Sequence, residues 1–218
     1  MPVLSPRTEF VQFDAAAHVY TVAGVQRPSV THILKDAGLI DTTWYTEESR
    51  ERGRAVHFAT QFLDEDDLDW DTVLPPYRGY VAAWQRFKQE SHFVINRDSA
   101  GKLLIEYLLF QPVSGYCGML DRVGTIGTTE YLIDIKTGDP QDWHGYQLAA
   151  YSQCLPNPLS RKRMTVHLRA NGSFSTREHT LTSFPYHWQV FAAAAVVWHA
   201  KHRRRNSHAF TRSTVSAA

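Results

Sequence analysis

Asp134 and Lys136 stand two residues apart in "YLIDIKTGDP", residues 131–140. Around them Tyr131, Leu132, Ile133 and Ile135 read as a buried strand, which Gly138 and Pro140 bring to an end. Side chains alternate along a strand, so the acid and the amine project to one face. Such a pair can hold a cation and a water, or it can be an internal ion pair. A lone D-x-K is too common to decide. A second acid narrows the choice. Asp121, in "GYCGMLDRVG", lies among Met119, Leu120 and Val123, where an unpaired carboxylate is costly. Arg122, its strand neighbour, faces the other way. A hairpin turning at Gly127-Thr128-Thr129 sets Asp121 beside Asp134. Two adjacent carboxylates repel unless a cation lies between them. Oxygen ligands at such a centre suit Mg²⁺ or Mn²⁺.

Two helical pairs and one further acid complete the set. Gly53-x-x-x-His57 places both residues on one helix face, with Gly53 leaving room for close backbone approach beside the ring. A mid-helix glycine costs about 1 kcal/mol relative to alanine, which hints at a packing or site role. Gln147-x-x-x-Tyr151 repeats the spacing on the helix after the D-x-K strand. Glu106 is an acid in the apolar strand "LLIEYLLF". It can orient Lys136, stand behind a metal ligand, or face water.

The elements that must position these residues follow from periodicity. "FVQFD" and "HVYTV" alternate as a short hairpin, and "RPSVTHIL" opens a helix with Ser29 as N-cap. "TTWYTEESRERGRAVHFATQFLDEDD" predicts a long helix with Ala55, Val56, Ala59, Phe62 and Leu63 apolar. The acidic run Asp64 to Asp71 reads as a solvated loop. "PPYRGYVAAWQRFKQE" predicts another helix, its core stripe Tyr77, Tyr80, Trp84 and Phe87. Strands follow in "HFVINRD", "LLIEYLLF", "GMLDRVGTI" and "YLIDIKTG", then a helix in "DWHGYQLAAYSQCL". Asn171-Gly172 marks a further hairpin, and a helix from about Pro185 to Arg203 closes the chain. Helices, a strand meander, a helix, a hairpin and a helix predict an α/β or α+β sheet flanked by helices.

Composition sets outer limits. The chain has 218 residues, enough for one sizeable domain. The longest apolar run, Val190 to Trp198, is far short of the ~20 residues that span a bilayer. The N-terminus lacks a basic-then-apolar signal pattern. Two cysteines, Cys117 and Cys154, supply neither a disulfide framework nor a four-cysteine cluster. A cytoplasmic protein is expected. The net charge of +1 hides an asymmetry, because Pro156 to Ala218 hold ten Lys or Arg against one acid, Glu178. That basic third can meet a polyanion, or it can reflect a solvated helix end.

The ordered set "RGRAVH", "GMLD", "IDIKTG" and "QLAAYSQ" resembles the RecB-type nuclease domain of the PD-(D/E)XK superfamily, whose stand-alone members include phage exonucleases and the mitochondrial genome maintenance exonuclease. The motifs run from Gly53 to Tyr151. The resemblance implies a restriction-endonuclease-like mixed sheet flanked by helices. It implies one nuclease domain over residues 1–218: an N-terminal hairpin and helix to about 45, a core over 46–155, and a hairpin plus basic helix over 156–218. It assigns His57, Asp121, Asp134 and the Ile135 carbonyl to one or two Mg²⁺ or Mn²⁺ ions, and Lys136 to the attacking water. Gln147 and Tyr151 hold the lysine or the scissile strand, with Glu106 and Gly53 behind. Arg161, Lys162, Arg163, Lys201, Arg203, Arg204 and Arg205 are the expected phosphate contacts. With the cluster cysteines missing, the likeness is to the branch without an iron–sulfur cluster. The implied activity is a DNA exonuclease leaving 5′-phosphate and 3′-hydroxyl ends in recombination, repair or phage DNA processing. A single-strand annealing or binding protein is the implied partner. An endonuclease, a non-catalytic DNA-binding module of the same fold, or an unrelated α/β protein whose D-x-K is an ion pair are the alternatives.

Overall fold

The computed structural model describes residues 11–43 and 45–212, with side chains described as far as His202. The alternating start forms β1 (Val11–Asp14) and β2 (Val19–Val22), and the chain adds an unpredicted β3 (Val25–Arg27) to make a small antiparallel sheet. Ser29 then caps α1 (Val30–Asp36), its Oγ accepting from the His32 N–H at 3.0 Å. Helix α2 (Glu47–Asp64) is shorter than its predicted stretch. Thr46 caps it by accepting from the Ser49 N–H, and Glu47 and Glu48 occupy the first turn, where the helix dipole favours acids. Helix α3 (Pro75–Ser91) starts on proline and stops at His92, whose φ of 54° is left-handed.

The main sheet contains β4 (Val94–Ile95), β5 (Ile105–Gln111), β6 (Tyr116–Ile126), β7 (Thr129–Lys136), β8 (Lys162–Leu168) and β9 (Phe174–His179). The order is β4-β6-β7-β8-β9, with β5 also paired to β6. As expected, β5, β6 and β7 form an antiparallel meander. The next step was not foreseen. Helix α4 (Trp143–Gln153) crosses over the sheet, so β8 runs parallel to β7. Helix α5 (Phe184–Arg212) extends further than predicted.

Helices cover both faces of this mixed sheet. Leu120 and Leu132 pack against α1, α4 and α5 in a core with Ile33, Leu148 and Phe191. Tyr131, Ile133 and Ile135 join Met164 and Val166 against Val56 of α2 and Trp84 and Phe87 of α3. The alternation of β7 is therefore real, and its two faces serve two cores. Asp134 and Lys136 belong to the α4 face. Among the described residues no helix is long and apolar enough to cross a membrane.

Candidate metal centre

Three elements bring the chemistry together. Arg122 pairs with Ile133 across β6 and β7, which puts Asp121 level with Asp134 at the point where regular pairing stops. There the Asp121 carboxylate takes over from the ladder: the Ile135 N–H donates to Asp121 Oδ2 at 2.6 Å. From the other side α2 contributes His57, whose Nε2 lies 3.1 Å from the Ile135 carbonyl. His57 Nδ1 faces Glu106 Oε1 at 3.6 Å and Asp121 Oδ2 at 3.7 Å. One ligand atom each of His57, Glu106 and Asp121 falls within 4.8 Å of the other two. With the Nε2 proton directed at Ile135, Nδ1 and two carboxylate oxygens converge, and Nδ1 would give up its proton to hold a cation. This mixed nitrogen and oxygen set fits a hard divalent ion such as Mg²⁺ or Mn²⁺.

The electrostatics are those of ionisable groups pressed together in a buried place. Burial, with Asp134 and Glu106 close by, pushes the Asp121 carboxyl up to about 7, against the pull of His57 and Lys136. Burial alone would lower His57, but Asp121 and Glu106 outweigh it and push the ring up to about 9. For Glu106 burial works against ionisation, yet His57 and Arg122 hold its carboxyl below the usual range.

Glu106 also has an unusual backbone. Its φ is 45°, although Ile105 and Tyr107 on either side keep regular partners in β6. A left-handed conformation costs a non-glycine residue about 1–2 kcal/mol. A buried ionic network holds the residue there. Arg122, wholly buried, donates from Nη1 to Glu106 at 2.9 Å and to the Asp121 carbonyl at 2.7 Å. Its Nε donates to Asp64 Oδ2 at 2.6 Å and its Nη2 to Thr60 Oγ1 at 3.2 Å. Asp64 further accepts from Trp84 Nε1 at 3.0 Å and from Lys88 Nζ at 2.6 Å.

Beside this cluster lies a second chain of polar contacts. Lys136 Nζ stands 2.7 Å from Asp134 Oδ2 and donates to Gln147 Oε1 at 3.0 Å. Gln147 Nε2 donates to Tyr151 Oη at 2.9 Å. The Lys136 ammonium also sits 4.9 Å from the centre of the Trp143 ring. Asp134 is almost fully buried, and its Oδ2 has the lysine as an ion pair without a well-aligned hydrogen bond. Gly118 explains the glycine of "GMLD": a Cβ there would come within 2.5 Å of the Tyr151 ring.

The predicted residues fare unevenly. His57, Asp121, Asp134, Lys136, Gln147 and Tyr151 meet in one region. The Ile135 carbonyl faces His57, and Asp134 pairs with Lys136 next to the three-residue cluster. Glu106 joins that cluster through His57 and Arg122. Beside Gly53 there is open space, with nothing within 4 Å of where its Cβ would be. Asp64 is a correction: it ends α2 and is buried, because Arg122 and Lys88 neutralise it. Arg161 and Arg163 cannot be the expected phosphate contacts. Arg161 is buried and paired with Glu130 at 2.9 Å. Arg163 is fully buried, donates to the Thr180 carbonyl at 2.7 Å and lies over Phe184. Lys162 and Lys201 are exposed, though paired with Glu178 at 3.2 Å and Asp36 at 3.0 Å. The side chains of Arg203, Arg204 and Arg205 lie outside the described residues.

Arg122 and Asp64 escaped sequence reasoning. One signal was available, for His57, Thr60 and Asp64 fall at i, i+3 and i+7, one face of a helix. No protein-family model matches the chain, and no curated protein matches it.

Proposed function

We propose that the protein is a Mg²⁺- or Mn²⁺-dependent DNA nuclease of the RecB type, acting as an exonuclease. The observation that carries the reading is the meeting of two groups of residues. His57, Glu106 and Asp121 converge on one point, and Asp134, Lys136, Gln147 and Tyr151 form a connected chain next to it. The mixed sheet with helices on both faces supports a restriction-endonuclease-like fold.

In this reading His57 Nδ1, Glu106 and Asp121 hold a divalent ion, with Asp134 at its margin. When bound, the ion supplies the positive charge that an anionic phosphodiester needs as it is attacked. Burial and the neighbouring Asp134 and Glu106 press a positive partner on Asp121, a place that a bound cation would fill. The His57 ring is oriented by its Nε2 contact with Ile135. Lys136 is fixed on one side by Asp134 and on the other by Gln147, so its ammonium is aimed without rotamer freedom. From there it orients a water and offsets charge on the phosphoryl oxygens. Exposed bases of the C-terminal third, Lys162 and Lys201 among them, supply the phosphate attraction away from the centre. A single-strand annealing or binding protein is the partner that the family likeness adds.

The deciding experiment is digestion of end-labelled single- and double-stranded linear DNA, beside a covalently closed circle, in Mg²⁺ or Mn²⁺. Metal-dependent release of 5′-phosphorylated products from linear DNA alone is expected. Cutting of the circle would replace the exonuclease by an endonuclease. No cleavage of any substrate would overturn the reading.

A further inference from the structure

Residues 137–142 join the D-x-K strand to α4. Lys136 is the last residue of β7, and Gln147 lies in the second turn of α4. Two of the groups around the Lys136 ammonium, Gln147 and the Trp143 ring, belong to α4, whereas Asp134 belongs to β7. The link therefore sets how strand and helix present their groups to the amine. It runs exposed from Gly138 to Asp142, and an exposed link is ordinarily a mobile part of a fold.

Two buried imidazoles hold it. His167 is the register partner of Lys136 on β8. Its Nδ1 lies 2.8 Å from the Gly138 carbonyl, and its Nε2 lies 3.1 Å from Thr165 Oγ1. A carbonyl only accepts, so Nδ1 carries the proton and Nε2 takes the threonine hydroxyl. His144, in the first turn of α4, does the reverse. The Gln141 N–H donates to its Nδ1 at 3.3 Å, which leaves the proton on Nε2. One ring thus grips a carbonyl near the start of the link, and the other an amide near its end. The rings lie 5.4 Å apart, tilted by 37°. Burial above all holds both imidazoles below their ordinary pKa, and the Lys136 charge acts in the same direction. Two further tethers are ion pairs, Arg169 with Asp139 at 2.9 Å and Arg177 with Asp142 at 3.1 Å, whose acids are 78% and 82% exposed. Pairs so exposed contribute little.

We propose that His144 and His167 are positioning residues, an imidazole pair of opposite tautomers that clamps residues 137–142 and so fixes the Lys136 ammonium between Asp134 and Gln147. The neighbour of His144 ties it to the same task. Trp143, which faces the ammonium, packs edge-on against the His144 ring with centroids 4.3 Å apart. The effect on cleavage rests on the nuclease reading, whereas the clamp itself does not.

Nitrogen-15 NMR of the full chain near neutral pH tests it. The spectra should show a bare Nδ1 on His144 and a protonated Nδ1 on His167. The Lys136 ammonium should give a resolved signal, because a fixed, hydrogen-bonded amine exchanges its protons slowly. His144→Leu and His167→Leu should each erase that signal, and His144→Leu should also speed exchange of the Gln141 amide at least about tenfold. His144→Asn keeps an acceptor and His167→Asn keeps a donor, so both should restore the ammonium signal. In DNA digestion the leucine variants should lose at least about tenfold in kcat with KM within about twofold, and the asparagine variants should recover most of that loss. The opposite tautomer on either ring of the native chain would overturn the proposal, whether or not the leucine variants fold. So would absence of the Lys136 signal from the native chain, or its persistence in a leucine variant. If the native chain cleaves no DNA, the nuclease reading falls and the spectra alone judge the clamp.

Discussion

Arg122 Nε lies 2.6 Å from Asp64 Oδ2, joining the last residue of α2 to the middle of β6. Both side chains are sealed from solvent. Through Nη1 the same guanidinium holds Glu106 at 2.9 Å, so the ion pair sits behind a candidate ligand. Removing one partner of a buried pair leaves the other uncompensated. Arg122→Met should therefore lower unfolding free energy by about 3–5 kcal/mol. Asp64→Asn combined with Arg122→Met should cost less than the two single changes together. Urea denaturation of the four proteins measures this coupling.

Glu106→Gln keeps the shape of the side chain and removes its charge. Mn²⁺ affinity by calorimetry should fall about 10–100-fold. Thermal stability should change much less than in Arg122→Met. An unchanged affinity would return Glu106 to a purely structural role.

Lys136→Ala and Asp134→Ala should each reduce DNA cleavage by at least about a hundredfold. Their circular dichroism should remain native. Robust metal-dependent cleavage by Asp134→Ala would defeat the mechanism.

Two glycines make a contrasting pair. A Cβ at Gly118 drives into the Tyr151 ring, so Gly118→Ala should destabilise by about 1–3 kcal/mol and loosen the chain that ends on Lys136. Gly53 faces open space, and Gly53→Ala should raise stability by up to ~1 kcal/mol through helix propensity. Thermal melts of the two variants should move in opposite directions.

Acid should unfold the protein early. Burial, helped by His187, Arg177 and Arg163, depresses His179 from 6.5 to about 3. Burial likewise lowers His144, His167 and His187. Each of these four rings binds its proton more readily when unfolded, so their contribution to stability is full above about pH 6.5 and declines as pH falls toward 3, whereas the raised His57 and Asp121 contribute in the opposite sense. Melting temperature should drop across that window, and His179→Phe should flatten the decline.

The D-x-K strand, its hairpin to Asp121 and the Gln147–Tyr151 pair were legible because each is local. Period-two alternation, a Gly-Thr-Thr turn and i, i+4 spacing are short-range rules. What stayed hidden depends on partners remote in sequence. Asp64 looks like part of an acidic loop until Arg122, far along the chain, is brought to it. Arg161 and Arg163 look like phosphate contacts until β8 becomes an inner strand and buries them. That placement follows from the α4 crossover, which no residue of β8 announces. The left-handed turn at Glu106 is equally silent, since glutamate carries no preference for it.

Asp121 answers the Ile135 N–H in the place of a backbone carbonyl. It is therefore mortar for the sheet as well as a group for chemistry. If the chain is the nuclease proposed, a descendant that abandoned cleavage would shed Lys136 long before Asp121. Among relatives, retention of the aspartate would be a poor guide to living enzymes, and the lysine two residues past Asp134 the better one.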